Sequence, residues 1–397
     1  MNPIDELERG LAAREAAGLR RARRTVESPA GTRVDVDGRR LIAFASNDYL
    51  GLANHPEVVA AARDGGSRWG VGAAASHLVC GHYGAHAALE EELAAWVSPC
   101  PGAQALTFSS GYLANIAILT ALAGRGDAIF ADRLNHACLN DGALLSRAQF
   151  VRYPHRDVAS LRSRLASSCA RRRLIATDAV FSMDGDLAPL PELLRLADEF
   201  DAWLVVDDAH GFGVLGEGAN AGRGALAHCG LESERIVYMG TLGKAAGVAG
   251  AFVAAHPAVV ATLVETARAY VFTTAAPPLL AEALRASLVL IRGDRARHQH
   301  LAALIERFRD RMRPLAWTLL PSATPIQPLV VGDNAAALAL SRELWRRGFW
   351  VPAIRPPTVP AGTARLRITL TAAHDFADVD ALADALAQLA PAPAAGR

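Results

Sequence analysis

Between Ala105 and Ala255 the chain alternates, and that alternation limits its fold more than any other feature. Short apolar segments recur at Ala105-Leu-Thr-Phe, Asp127-Ala-Ile-Phe, Phe150-Val-Arg-Tyr, Leu174-Ile-Ala-Thr, Trp203-Leu-Val-Val, Ile236-Val-Tyr-Met and Ala251-Phe-Val-Ala. Helical stretches lie between most of them, among them Tyr112 to Ala123 and Leu190 to Phe200. This order predicts βαβ units, an α/β fold whose mostly parallel central sheet carries helices on both faces. In open sheets of that kind ligands bind beyond the carboxyl ends of the strands. Ser110-Gly111, Ser182, Asp207 and Lys244 each follow a strand-like segment, so they are expected to converge.

The flanks read differently. Asp5 to Arg24 has the spacing of an amphipathic helix, and Val34 to Phe44 reads as a strand pair turning at Asp37-Gly38. A helix follows Pro56. Gly65 to Gly84, rich in Gly, Ala and His without periodicity, reads as a loop near a site, because small residues let backbone approach a ligand. Ala85 to Val97 returns to helical spacing. Beyond the sheet, a helical region runs from Pro278 to about Arg313. Then come strand Ile326 to Val331, helix Ala335 to Arg347, strand-like Trp350 to Ile354, a loop from Arg355 to Thr363, strand Arg365 to Leu370 and helix Ala377 to Leu389. That order predicts a smaller α+β C-terminal domain, with residues 391–397 a frayed tail. The expected division is 1–45, 46–285 and 286–397.

A 397-residue chain that is 51% hydrophobic and 20% charged can bury a large core. A net charge of +1 gives no global electrostatic reason to bind nucleic acid or a membrane. The arginines Arg20, Arg21, Arg23 and Arg24 form a local cluster, a solvated helix face or a contact for an anionic substrate. Five widely spaced cysteines without a C-x-x-C argue against a disulfide framework or a zinc site, and for a reducing cytoplasm. The charged N-terminal stretch lacks the apolar core of a signal peptide. No apolar run reaches membrane-spanning length, so a soluble cytoplasmic protein is expected.

The chemistry gathers around Lys244, in the small-residue run Tyr238 to Gly250 (YMGTLGKAAGVAG). A lone Gly-Lys is commonly a surface lysine on a glycine loop. Buried, its ammonium would be costly, its pKa would fall, and its amine would suit a Schiff base. Asp207 and Asp208 end an apolar strand and precede His210. A buried carboxylate needs a cationic partner, which a protonated pyridine nitrogen could supply. Ser110-Gly111, between a strand and a helix start, suits a phosphate, although Ser there is also an ordinary N-cap. Together an acid, a histidine, a hydroxyl and a lysine at strand ends suggest an aldehyde cofactor held by its ring, its phosphate and a covalent bond. Gly211 to Gly216 matches G-x-G-x-x-G, but a loop follows where a dinucleotide site needs a helix, so a flexible turn is expected. Gly243-Lys244 is no Walker lysine, because Ala245 stands where Ser or Thr binds magnesium.

Five motifs in order, SNDYLGL, DRLNHAC, VFSMDGD, VDDAHGFG and TLGKAAG, resemble the α-oxoamine synthase group of pyridoxal-phosphate (PLP) enzymes, from about Leu11 to Leu389. The resemblance implies the aspartate aminotransferase-type fold, fold type I. It implies that Lys244 binds PLP covalently, Asp207 pairs with the ring nitrogen and His136 stacks on the ring. Ser182 and His210 are implied beside the phenolic oxygen, and Gly111, Tyr112 and Thr241 at the phosphate. Thr273 and Thr274 match a segment that reaches the phosphate of a neighbouring subunit, which implies a homodimer with shared active sites. Asn47 and Arg355 match positions near the amino-acid carboxylate. Arg21 and Thr358 match acyl-substrate positions, with Arg20 as the alternative to Arg21 under a one-residue shift. Ile326 to Asn334 and Ala353 to His374 are similar to the members that condense L-alanine with pimeloyl-CoA or pimeloyl-acyl carrier protein in biotin synthesis. Members that pair glycine with acetyl- or succinyl-CoA, or serine with a long acyl-CoA, are the rival reading. A non-catalytic binding protein of this fold and a nicotinamide dehydrogenase are the readings from other classes. Gly72 to His77 departs from the group, with alanines and a histidine where relatives carry Gly and Arg, and Cys80 stands where Ser is common. The departure touches substrate contact rather than cofactor chemistry.

Overall fold

The computed structural model describes residues 2–391. Of the expected tail at 391–397, residues 392–397 lie outside them. By packing, the chain divides into a larger unit, Leu50–Ser182 with Asp186–His298, and a smaller unit, Met1–Tyr49 with Met183–Gly185 and Gln299–Arg397. Residues 1–45, expected as a separate segment, thus belong with the C-terminal residues. The expected break at 285 falls inside a helix, Pro278–Gly293.

All seven apolar segments form strands of one sheet in the larger unit. They are β1 (Gln104–Phe108), β2 (Ala128–Asp132), β3 (Gln149–Tyr153), β4 (Arg173–Asp178), β5 (Ala202–Asp207), β6 (Ile236–Thr241) and β7 (Ala251–Ala255). Their order across the sheet is β1-β7-β6-β5-β4-β2-β3. Strand β7 runs antiparallel to both neighbours, and every other pairing is parallel. Every residue of β2, β6 and β7 is buried, as expected of strands covered on both faces. Helix Gly111–Leu122 adds Ala114, Ala117, Ile118 and Leu119 to the same core. The register sets Asp178 opposite Asp207 and Asp207 opposite Met239, so the carboxyl ends of three central strands lie side by side.

Helix Pro56–Trp69 corrects the reading of Gly65 onward as loop. A side chain on Gly65 would stand 3.1 Å from the backbone of Leu279, so glycine there serves close packing of this helix on Pro278–Gly293. Beyond Gly70 the loop reading holds, apart from one π-helical turn, His77–Gly81. The helical region from Pro278 breaks at Asp294, giving Pro278–Gly293 and Arg295–Met312.

In the smaller unit the first helix, Pro3–Ala16, buries no residue and stops well short of Arg24, because the chain turns at Gly18 with φ +64°. Strands Arg33–Val36 and Arg39–Ala43 form the expected hairpin, with Asp37 and Gly38 both at positive φ. Expected strand Trp350 to Ile354 is two strands in two sheets. Phe349–Trp350 pairs with Arg39–Ala43, and Ala353–Ile354 pairs with Ala364–Thr369. Pro352 lies between them and has no N–H to continue a ladder. The second sheet is completed by Ile326–Gly332 and Thr318–Leu319.

Candidate active site

Strands β4, β5 and β6 end at a cavity of about 190 Å³ lined by Gly111, Tyr112, His136, Ser182, Asp207, His210, Thr241 and Lys244. The cavity brings together every cofactor residue expected from the sequence except Thr273 and Thr274. Asp178, Cys138, Ala209 and Met239 complete its wall.

Lys244 sits in the turn between β6 and β7, and that turn is tightly specified. The Gly247 N–H donates to the Lys244 carbonyl at 2.9 Å, and Val248 N–H to the Leu242 carbonyl at 3.1 Å. Gly247 has φ +70°, and a side chain there would meet the backbone of Leu52 and Ala53 at 2.5–2.6 Å. From this turn the half-buried Lys244 holds its Nζ 2.8 Å from His210 Nε2. His210 follows the end of β5, so two strand ends deliver the pair.

At the other end, Ser110 caps helix Gly111–Leu122, its Oγ accepting from Leu113 N–H at 3.3 Å. The first N–H groups of a helix have no intrahelical acceptor and favour an anion. Gly111 and Tyr112 stand there, beside the Thr241 hydroxyl, which donates to the Gly250 carbonyl at 3.1 Å.

Asp207 is buried, and the hydrogen bonds to its carboxylate come from neutral groups. Oδ2 accepts from Asn115 Nδ2 at 2.6 Å and Oδ1 from Ala209 N–H at 2.9 Å. Such a carboxylate favours a cation from a ligand. Burial, and then the charge of Asp207, raise the pKa of its neighbour Asp178 well above its ordinary value. Asp178 also accepts the His136 backbone N–H at 2.9 Å. Desolvation by surrounding protein outweighs the opposing charge of Asp207 and lowers the His136 pKa, which favours the neutral ring. Asp208, the second acid of the pair, lines no part of this cavity. It accepts from Ala225 N–H at 2.7 Å and Tyr238 OH at 2.8 Å, and burial pushes it up to about 7. Gly211 turns so closely over it that a side chain there would meet Asp208 Oδ1 at 2.0 Å. The G-x-G-x-x-G match is therefore a turn packed on Asp208, with positive φ at Gly213 and Gly216.

Ser182 lies on a loop pinned within the larger unit by His155. His155 bonds Asp132 at 3.0 Å through Nδ1 and Asp186 at 2.9 Å through Nε2, and its ring meets Phe181 edge-on at 4.4 Å. Burial opposes its protonation, but the bonds and charges of both aspartates raise it to about 9.

In the smaller unit, Arg20, Arg21, Arg355 and Thr358 line a cavity of about 400 Å³. Arg21 approaches Thr358 Oγ1 at 3.5 Å, whereas Arg20 pairs with Glu15 at 2.6 Å. Arg355 donates to the Gly18 carbonyl through Nη1, while its buried Nε has no hydrogen-bond partner among the described residues. Asn47 Oδ1 accepts from Arg367 at 3.1 Å and from Tyr49 OH at 3.3 Å. Arg365 reaches Asp184 at 2.8 Å. Both Arg365 and Arg367 are buried, and being two apart on one strand they share a face; neither was a candidate from the sequence. Asp178, Asn115 and Cys138 were missed too. Asp178 carried a signal, because it ends β4 as Asp207 ends β5.

Thr273 is half-buried and Thr274 exposed. The segment before helix Gly84–Val97 and the first turn of that helix gather His77, His82 and His86, one ring nitrogen of each within 4.8 Å of the others. His86 uses both nitrogens, accepting from Tyr83 N–H at 3.1 Å and bonded to the Ala276 carbonyl at 2.9 Å, which fixes it as packing.

The sheet order, with a lysine after β6 and a buried aspartate ending β5, defines a fold type I protein of the PLP-dependent aminotransferase class, and the family model for aminotransferase class I and II matches residues 39–386. An 8-amino-7-oxononanoate synthase of Aromatoleum aromaticum is 59% identical over 386 residues, covering 97% of this chain and 98% of that one. The chain belongs to the 8-amino-7-oxononanoate synthase family. A solved 8-amino-7-oxononanoate synthase from Francisella tularensis has a TM-score of 0.76 at 28% identity over 88% of this chain and 97% of that one. A solved structure described as SPT with PLP has a TM-score of 0.91 at 26% identity over 98% of each chain.

Proposed function

We propose that this chain is a PLP-dependent acyltransferase that joins L-alanine to a pimeloyl thioester. It releases carbon dioxide and the free thiol and yields 8-amino-7-oxononanoate for biotin synthesis. The 59% identity across almost the whole chain carries this reading. The cavity fits PLP on its own chemistry: a lysine amine for the aldehyde, a buried carboxylate lacking a cationic hydrogen-bond partner for the ring nitrogen, and a helix N-terminus for the phosphate. No helix among the described residues is long and apolar enough to cross a membrane. Five free cysteines support a reducing cytoplasm.

Bound PLP supplies an aldehyde and an electron-withdrawing ring that stabilises negative charge at the amino acid Cα. Lys244 would hold the aldehyde, and its Nζ is the base that would take the Cα proton. His210, 2.8 Å from Nζ, orients that amine and with Ser182 flanks the phenolic oxygen. Asp207 would pair with the ring nitrogen and favour its protonated form, and His136 would cover the ring. Gly111, Tyr112 and Thr241 hold the phosphate. Asn47 and Arg355 receive the amino-acid carboxylate, and Arg21 with Thr358 the acyl substrate, supplied as pimeloyl-CoA or pimeloyl-acyl carrier protein. The unpartnered Nε of Arg355 supports an anion there.

The working form is a homodimer. Thr273 and Thr274 are absent from the wall of this chain's own Lys244 cavity, as residues serving a partner's phosphate would be. Val71, Val79 and Phe272 are 82%, 78% and 71% exposed, large apolar side chains whose burial against a second copy would be favourable. Incubating the purified protein with PLP, L-alanine and pimeloyl-CoA should give free thiol and 8-amino-7-oxononanoate by mass spectrometry. Thiol release without that product would refute the reading.

A further inference from the structure

Two side chains to which no role in the reaction has been given tie Asp207 to His136. Asn115, on helix Gly111–Leu122, is wholly buried. Its Nδ2 donates to Asp207 Oδ2 at 2.6 Å and to Cys138 Sγ at 3.1 Å. Those bonds employ both amide hydrogens. The opposite amide orientation would press Oδ1 against a carboxylate oxygen at that distance. Cys138, on helix Ala137–Ser146 and 2% exposed, stands with Sγ 2.8 Å from His136 Nδ1 and 4.0 Å from Asp207 Oδ2. Its thiol accepts from the amide and donates to the nearer acceptor, the histidine. The Cys138 backbone N–H also points at Nδ1, at 3.3 Å. With two donors aimed at it, Nδ1 carries the lone pair, and the ring proton sits on Nε2. Burial pushes the Cys138 thiol up, which keeps the hydrogen on sulfur. The charged groups acting on His136 are Asp207, Lys244 and Asp141.

We propose that Asn115 and Cys138 are positioning residues: Asn115 fixes the Asp207 carboxylate, and the Cys138 thiol fixes His136 as its Nε2–H tautomer. The inference rests on the roles proposed for Asp207 and His136, and it adds a preset donor. His136 then carries its one ring N–H on Nε2. A hydroxyl can donate as the thiol does, so the conservative replacement is serine.

The test uses holoenzyme labelled with 15N-histidine, together with steady-state kinetics. In the wild type, the His136 ring nitrogens should report protonated Nε2 and unprotonated Nδ1. Cys138→Ala leaves only the backbone N–H of residue 138 on Nδ1, so it should lower the Nε2–H population and reduce kcat/KM for L-alanine by about 10- to 100-fold, the cost known for losing a group that orients a metal-bound histidine. Any loss of PLP affinity should be smaller than the loss of kcat/KM. Cys138→Ser should restore both readouts. Asn115→Ala should weaken PLP binding through Asp207. Retention of a pure Nε2–H signal in Cys138→Ala would overturn the proposal, and so would failure of serine to restore it. The nuclear resonance is read without turnover, so its result is independent of the choice of substrate, which the product assay decides.

Discussion

Lys244 owes its place in the chemistry to what surrounds it. His210 stands 2.8 Å from its amine, and Asp207 waits at the next strand end. Lys244→Ala should abolish turnover and covalent PLP attachment while leaving the circular dichroism spectrum unchanged; retained turnover would remove the lysine from the chemistry. Asp207→Asn keeps the shape of the carboxylate but not its charge. It should slow exchange of the alanine Cα proton by about 100-fold or more, since a preorganised charge is typically worth that much, while PLP still binds. Equal exchange rates in mutant and wild type would contradict this role. Lys244, Asp207, Ser182 and Ser110-Gly111 were legible in the sequence because each follows a strand-like segment whose end fixes its position, whereas His136 came only from the motif resemblance. Asn115 and Cys138 were not. They lie within helices, and their meaning comes only from packing between Gly111–Leu122 and Ala137–Ser146.

At the scale of elements, two loops hold the chemistry. The turn carrying Lys244 requires Gly247, because φ is positive and a side chain would enter the backbone of Leu52 and Ala53. Gly247→Ala should destabilise the protein by about 2 kcal/mol in urea unfolding and lower the fraction of PLP held covalently. An unchanged unfolding midpoint would show that the turn is not under that constraint. The Ser182 loop is pinned by His155, whose pKa rises from 6.5 to about 9 on folding. A raised histidine pKa means the folded state holds the proton more tightly. Its stabilisation is therefore complete below about 6.5 and is lost as pH rises through about 9. Stability should fall over that window in the wild type and less so in His155→Asn. The strands were legible because buried strands are short apolar runs. Helix Pro56–Trp69 was misread at Gly65, since a glycine that serves helix contact looks in sequence like one that breaks a helix.

At the scale of the whole molecule, the alternation from Ala105 to Ala255 was enough to predict the sheet, but not the membership of the smaller unit. That unit draws on three separated segments, and Met183–Gly185 joins it through contacts such as Arg365 to Asp184 at 2.8 Å, which no local pattern announces. The proposed shared sites make a sharp prediction. Lys244→Ala and Thr274→Ala proteins, each with impaired turnover, should regain activity when mixed under conditions that exchange subunits, because one site of each hybrid dimer is then intact. No recovery would place Thr274 at its own subunit's site or at none.

The most direct test of the central claim is the absorption spectrum of the holoenzyme titrated with L-alanine, glycine and L-serine, each followed by pimeloyl-CoA. Membership of the 8-amino-7-oxononanoate synthase family predicts that alanine shifts the band of lysine-bound PLP and that the thioester then produces a transient long-wavelength band with release of carbon dioxide. A response to glycine or serine but not to alanine would contradict the assigned reaction, and the absence of any lysine-bound band would contradict the role of Lys244 itself.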